Sequence, residues 1–413
     1  MNRPFHIMAK PVSYQCNLTC DYCFYLEKEQ GTLKPRRTSR HMDDVTLEQY
    51  IKQYIAATPA SEVEFTWQGG EPTLAGIAFY EKALTLQARY AQGKTIRNSM
   101  QTNGVLIDES WARFLSQHRF LVGLSVDGPA HLHDTYRKTR SGHSVFEKII
   151  NAMRMLRQHN VEVNILSVVN NVTADHPLEV YRFITEELGA EFIQFIPAVE
   201  QRAVHEKYGE LLYPQTLSQG AVTSWSVSGE AWGRFINTVF DYWIRRDVGR
   251  VYVQLFDSAL AAWLGETPSL CVMQPNCGFG LVAEQNGDIY SCDHYVYPEH
   301  KLGNLRRDSL EKMANSKQQR KFGLMKSQIS GQCQRCEWRF ACHGGCPKHR
   351  IHRQGERWHN HLCAGYEAIF SHMDPYMKFM VGQIRRHQPP AAVMAIAAQL
   401  AAHVQGLEVK RKI

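Results

Sequence analysis

Residues 16–23 read Cys16-Asn17-Leu18-Thr19-Cys20-Asp21-Tyr22-Cys23. Three cysteines spaced C-x3-C-x2-C can each ligate one corner of an iron-sulfur cubane, one fewer than full ligation requires. One iron would stay open to a small molecule. Soft thiolates suit iron-sulfur or zinc rather than hard cations. Zinc, however, would ask for a fourth ligand nearby, and the first downstream candidate is His41. The stretch follows an apolar run from His6 to Val12 that reads as a first strand. The cysteines therefore fall at a strand's carboxyl end, where α/β folds place their ligands.

Outward from there, apolar runs alternate with amphipathic stretches to about residue 200, which predicts repeated βα units and a parallel sheet. The strands are expected at His6 to Val12, Val63 to Trp67, Thr95 to Gln101, Leu121 to Val126, Val161 to Val169 and Phe192 to Ile196. Right-handed crossovers would curl six such strands into a partial barrel. Asp43-Asp44, Asp108 and Ser144 read as helix N-caps. Further unusual sequence again falls at strand ends: Gln68 to Pro72, Thr102 to Gly104, and Ser125 to Pro129. Residues 201–270 read as a more helical connection. Beyond Cys363 a helix is expected to about His387, then a break at Pro389-Pro390 and an Ala-rich tail.

A chain of 413 residues with 44% hydrophobic and 21% charged residues fits a globular protein of two or three domains. The net charge of +7 is carried by scattered Lys and Arg, a weak case for nucleic acid. The first residues offer no apolar stretch of signal-peptide length, and no run of about 18 apolar residues follows. A cytoplasmic protein with neither a nucleic-acid nor a membrane partner is expected. Disulfides have little use in that compartment. The chain's eleven cysteines, an odd number, therefore point to metal ligation.

Eight of them lie late in the chain, at Cys271, Cys277, Cys292, Cys333, Cys336, Cys342, Cys346 and Cys363. Eight thiolates complete two cubanes; a pair of structural zinc ribbons is the competing reading of the spacing alone. A fully ligated cluster is a poor substrate site but can accept and relay an electron. The basic, His-rich stretch Lys348 to His361 reads as a solvated face beside the second cluster, and Trp232, Trp243 and Trp263 read as core.

The N-terminal motif, with Tyr22 as the aromatic before its last cysteine, resembles the radical SAM superfamily. That resemblance implies a partial (β/α)6 TIM-like barrel and an open iron that chelates S-adenosyl-L-methionine. Gly69, Gly70 and Glu71 match the family's glycine-rich motif near the methionine amino group, where the carboxylate could accept from the ammonium. The late cysteines resemble the SPASM iron-sulfur domain. This implies that Cys271, Cys277, Cys292 and Cys346 hold one auxiliary cluster, and Cys333, Cys336, Cys342 and Cys363 the other, giving three 4Fe-4S clusters.

Across residues 5 to about 370, YQCNLTCDYCFYLEK, FTWQGGEPTLAG, QTNG, SVDGP and CDHYVYPEHKLGNL are similar to anaerobic sulfatase-maturating enzymes. The resemblance implies oxidation of a Cys or Ser of a sulfatase to Cα-formylglycine, with thioether or carbon-carbon crosslinking by a related peptide maturase as the alternative. Asp293 takes the place of the proposed base. Tyr22, Gly70, Ser125, Arg137 and Val199 fall where the family contacts S-adenosylmethionine, and Tyr25, Gln101 and Asn103 where it contacts peptide. The implied partners are a nascent or unfolded sulfatase with a C/S-x-P/A-x-R motif and a donor such as flavodoxin or ferredoxin. The implied domains are a barrel at 1–230, a helical connection at 231–270, the SPASM domain at 271–370 and a helical extension at 371–413.

Overall fold

A computed structural model describes residues 5–29, 41–205, 209–212 and 222–411. Six parallel strands lie side by side in chain order: β1 His6–Ala9, β2 Glu62–Trp67, β3 Thr95–Thr102, β4 Leu121–Ser125, β5 Glu162–Val169 and β6 Phe192–Pro197. Between them run α1 Asp44–Ala57, α2 Ile77–Tyr90, α3 Glu109–Gln117, α4 Ala130–Tyr136, α5 Phe146–Gln158 and α6 Pro177–Arg182. Alternation builds the two faces. Val63, Phe65 and Trp67 are buried beneath the helices, while Thr66, Ser99, Gln101, Gly123, Asn164 and Gln194 line a cavity of about 260 Å³ on the other side.

Two of the boundaries that differ from the sequence expectation have a local reason. The first strand stops at Ala9 instead of Val12, because Pro11 has no N–H for a ladder and Ser13 turns into the left-handed region at φ 54°. Asp43 and Asp108 cap α1 and α3 through Thr46 N and Trp111 N, each at 2.9 Å. The α5 cap instead falls on Val145, with the Ser144 hydroxyl accepting from Phe146 N at 3.2 Å.

The sheet does not end at its sixth strand. A short hairpin, β7 Arg202–His205 with β8 Gly209–Leu212, stands apart, whereas β9 Tyr252–Val253 extends the edge beside β6. At the opposite edge β10 Gly280–Ala283 pairs parallel with β1, and β11 Asp288–Tyr290 and β12 Lys301–Asn304 continue antiparallel. The cysteine-rich segment thus contributes three strands to the barrel's own sheet, which carries Cys292 to the neighbourhood of β1.

The connection holds α7 Gly229–Trp243 and α8 Gln254–Leu264. Trp232 and Trp243 are buried in the core that α7 shares with the helix Cys363–Arg385. The two helices cross closely: a Cβ on Gly365 would lie 2.2 Å from Gly229 O. This contact fixes the helix whose first residue is Cys363.

The stretch Lys348 to His361 is only in part the solvated face expected of it: His352, Arg353, Glu356 and Arg357 are exposed, but other members turn inward. It forms the hairpin β13 Arg350–Gln354 with β14 Arg357–Asn360, and Lys348, His349, Arg350 and Asn360 are buried. No described helix is long and apolar enough to cross a membrane.

Candidate active site

All eleven cysteines are free thiols. Cys16, Cys20 and Cys23 share the loop after β1 and act electrostatically on one another. Burial pushes the Cys16 thiol up to about 11 and that of Cys20 to about 12. Left alone these groups stay protonated at neutral pH; a bound cation is what makes buried thiolates stable. Cys16 Sγ accepts from Leu18 N at 3.4 Å and lies 3.6 Å from Asn103 Nδ2. The donor set fits an iron-sulfur cluster.

The glycine-rich turn after β2 clamps this loop. Gly70 N donates to Ser13 O and Glu71 N to Gln15 O, both at 2.7 Å, and a Cβ on Gly70 would lie 1.9 Å from Gln15 O. Only glycine fits. The Glu71 carboxylate departs from its expected role as ammonium acceptor. It is fully buried and takes four protein donors: Thr73 N at 3.1 Å, Thr73 Oγ1 at 2.6 Å, Thr102 Oγ1 at 2.7 Å and Asn103 N at 2.7 Å. Its side chain ties the ends of β2 and β3 together. Asn103 likewise turns to the cysteine loop, with Nδ2 2.8 Å from Asn17 Oδ1.

At the end of β4, Gln101 Nε2 donates to Ser125 Oγ at 3.0 Å. Asp127, quoted in the sequence motif without a role, is the hub of this corner. Its carboxylate accepts from the Tyr22 hydroxyl, from Arg137 Nε at 3.0 Å and from Val168 N at 2.9 Å. Tyr22 and Arg137 are buried with it, so its negative charge is matched by the guanidinium it orients. Val199 is buried just past β6.

Asp293 follows Cys292 and forms an ion pair with Lys10, which is buried at the end of β1. The Lys10 ammonium also lies 4.3 Å from the centre of the Tyr25 ring, and the Tyr25 hydroxyl donates to Glu284. Burial holds the Glu284 carboxyl up at about 7. Neither Lys10 nor Glu284 stood out in the sequence; each is a single charge closing an apolar strand, in IMAK and LVAE.

Cys271, Cys277, Cys292 and Cys346 form one electrostatic group. Cys333, Cys336, Cys342 and Cys363 line a cavity of about 360 Å³ together with Trp338 and Tyr366. Four thiols around one cavity again suit a cluster.

Residues 11–184 match the radical SAM superfamily and residues 277–337 the SPASM iron-sulfur cluster-binding domain. The serine-type anaerobic sulfatase-maturating enzyme of Bacteroides thetaiotaomicron is 44% identical over 95% of this chain and 95% of its own. The chain belongs to the anaerobic sulfatase-maturating enzyme family. It is a radical SAM enzyme whose domains bind 4Fe-4S clusters and S-adenosylmethionine. The cysteine-type anaerobic sulfatase-maturating enzyme of Clostridium perfringens is 33% identical over 92% of this chain and all of its own. Among solved structures, native anSMEcpe with bound AdoMet and Cp18Cys peptide superposes with a TM-score of 0.80 at 32% identity, covering 92% of this chain and 99% of that one. In this sulfatase-maturating enzyme Lys10 and Glu284 join the site although no local motif marks them, and Asp127 joins it from within the SVDGP motif.

Proposed function

We propose that this enzyme is serine-type and oxidises one serine of a sulfatase polypeptide to Cα-formylglycine. The observation that carries the chemistry is the placement of Asp293, covalently next to Cys292 and paired with Lys10 at the end of the strand that leads into Cys16. A carboxylate there has the radical site on one side and an electron acceptor on the other. Serine as the target rests on the relatives: 44% identity to a serine-type enzyme against 33% to a cysteine-type one.

When bound, S-adenosylmethionine and three 4Fe-4S clusters held by the three cysteine groups supply a 5'-deoxyadenosyl radical for the Cβ hydrogen and a sink for one electron. Asp293 accepts the serine hydroxyl proton, so that one hydrogen atom, one proton and one electron leave and an aldehyde remains. Lys10 holds that carboxylate in place. Tyr25, steered by Glu284, and Gln101, steered by Ser125, bound the peptide's space, while Tyr22, Gly70, Ser125, Arg137 and Val199 surround S-adenosylmethionine. Four ligands in each auxiliary group leave no iron open for substrate, which disfavours thioether crosslinking. The partners are a nascent sulfatase bearing C/S-x-P/A-x-R and a donor such as flavodoxin or ferredoxin in the cytoplasm.

The test is competition between Ser-x-Pro-x-Arg and Cys-x-Pro-x-Arg peptides on the anaerobically reconstituted enzyme, read by mass spectrometry. Preferential loss of two hydrogens from the serine peptide is expected; exclusive turnover of the cysteine peptide overturns the assignment.

A further inference from the structure

Two cations are buried among the late cysteines. Lys326 is completely buried, and its Nζ donates to Cys271 O at 2.6 Å and Val272 O at 2.9 Å. Arg350 is buried on β13, and its guanidinium takes only carbonyls: Gly344 O through Nε at 3.2 Å, Gln328 O through Nη1 at 3.2 Å, and through Nη2 Lys326 O at 2.7 Å and His343 O at 3.2 Å. Among the described residues neither forms an ion pair with a carboxylate. They also repel each other.

Two adjacent uncompensated charges in a protein interior are costly, and carbonyl dipoles offset only part of that cost. The cysteines nearby supply opposite charge only when they ligate iron as thiolates. Cys277, Cys346 and Cys271 act electrostatically on Lys326, and Cys346, Cys333 and Cys277 act on Arg350. Arg350 thus faces both cysteine groups. It also grips the turn between Cys342 and Cys346, where His343, Gly344 and Gly345 all take positive φ, at 47°, 76° and 62°. A Cβ on Gly344 would lie 2.8 Å from Arg350 Nη2.

We propose that Lys326 and Arg350 are the buried counter-cations of the auxiliary clusters, Lys326 serving the Cys271, Cys277, Cys292 and Cys346 cluster and Arg350 spanning both. The inference rests on the assignment of two cubanes to these eight cysteines. Such a cluster carries a net charge of about −2, and about −3 once it accepts an electron. A fixed cation stabilises the reduced state more than the oxidised one and raises the reduction potential. The clusters become better acceptors for the electron that leaves the substrate. Both residues are positioning residues that act through the clusters.

The experiment uses the full-length chain with Cys16, Cys20 and Cys23 replaced by alanine, reconstituted so that only the auxiliary clusters report, and titrated by EPR. Iron analysis comes first. About eight irons per chain is required by the two-cubane reading, and a lower maximum in the parent protein refutes that reading separately. With the irons present, Lys326→Met is expected to lower one midpoint potential and leave the other, Arg350→Gln to lower both, and Arg350→Lys to restore them. Unchanged potentials in both neutral variants overturn the proposal. Should Arg350→Gln fail to assemble, Lys326→Met decides alone, one displaced wave supporting the proposal and none contradicting it.

Discussion

Lys10 and Asp293 meet as an ion pair between the end of β1 and the residue after Cys292. The pair joins the loop of the first cysteine motif to the second cysteine group. If Asp293 receives the substrate proton, Asp293→Asn keeps the cleavage of S-adenosylmethionine and loses about a hundredfold or more of aldehyde formation. Lys10→Met changes the same ratio in the same direction. Quantifying 5'-deoxyadenosine and aldehyde in one reaction checks this; equal loss of both products would remove Asp293 from the proton-transfer step.

Gly70→Ala forces a methyl group against Gln15 O, since the built Cβ lies 1.9 Å away. The cysteine loop must move. Iron content is expected to fall from about twelve to about eight per chain, with the auxiliary clusters retained. Full iron in the variant would contradict the clamp.

Asp127→Asn leaves Arg137 buried without its counter-charge and removes the acceptor of the Tyr22 hydroxyl. The cost of breaking such a pair is about 3 kcal/mol. A lowered melting temperature together with weakened S-adenosylmethionine binding is expected. Unaltered binding would detach this hub from the cofactor site.

His133 Nδ1 accepts from Asp127 N at 3.3 Å, which requires an unprotonated nitrogen, and burial holds the ring's pKa down at about 4. A group whose folded pKa lies below its unfolded value near 6.5 contributes its full stability above about pH 6.5 and loses it as the pH falls towards 4. The whole effect is about 3 kcal/mol. Denaturation of wild type and His133→Asn between pH 7 and 5 should show the wild type losing more stability on acidification. Parallel curves would exclude the histidine.

The strands and the two cysteine-rich stretches were legible because alternation and thiol spacing are local signals, whereas the division of the eight late cysteines into two sets of four came only from the resemblance to the SPASM domain. What was not legible depends on residues far apart in the chain. Glu71 faces the protein because Thr102 and Asn103 at the end of β3 supply its donors, which the Gly-Gly-Glu-Pro string alone does not reveal. Lys10 and Glu284 become site residues only because β10 pairs with β1. Lys348 and Arg350 look like solvated charges until the hairpin folds inward, where Lys348 pairs with buried Glu200. Compositional bias cannot separate an exposed basic face from a buried set of counter-ions.

The most direct measurement of the central claim is isotopic. A Ser-x-Pro-x-Arg peptide deuterated at the serine Cβ is incubated with reconstituted enzyme, reductant and unlabelled S-adenosylmethionine, and both products are analysed by mass spectrometry. The account predicts an aldehyde at the serine and deuterium in 5'-deoxyadenosine. Abundant 5'-deoxyadenosine without deuterium, beside an unchanged serine, would contradict it.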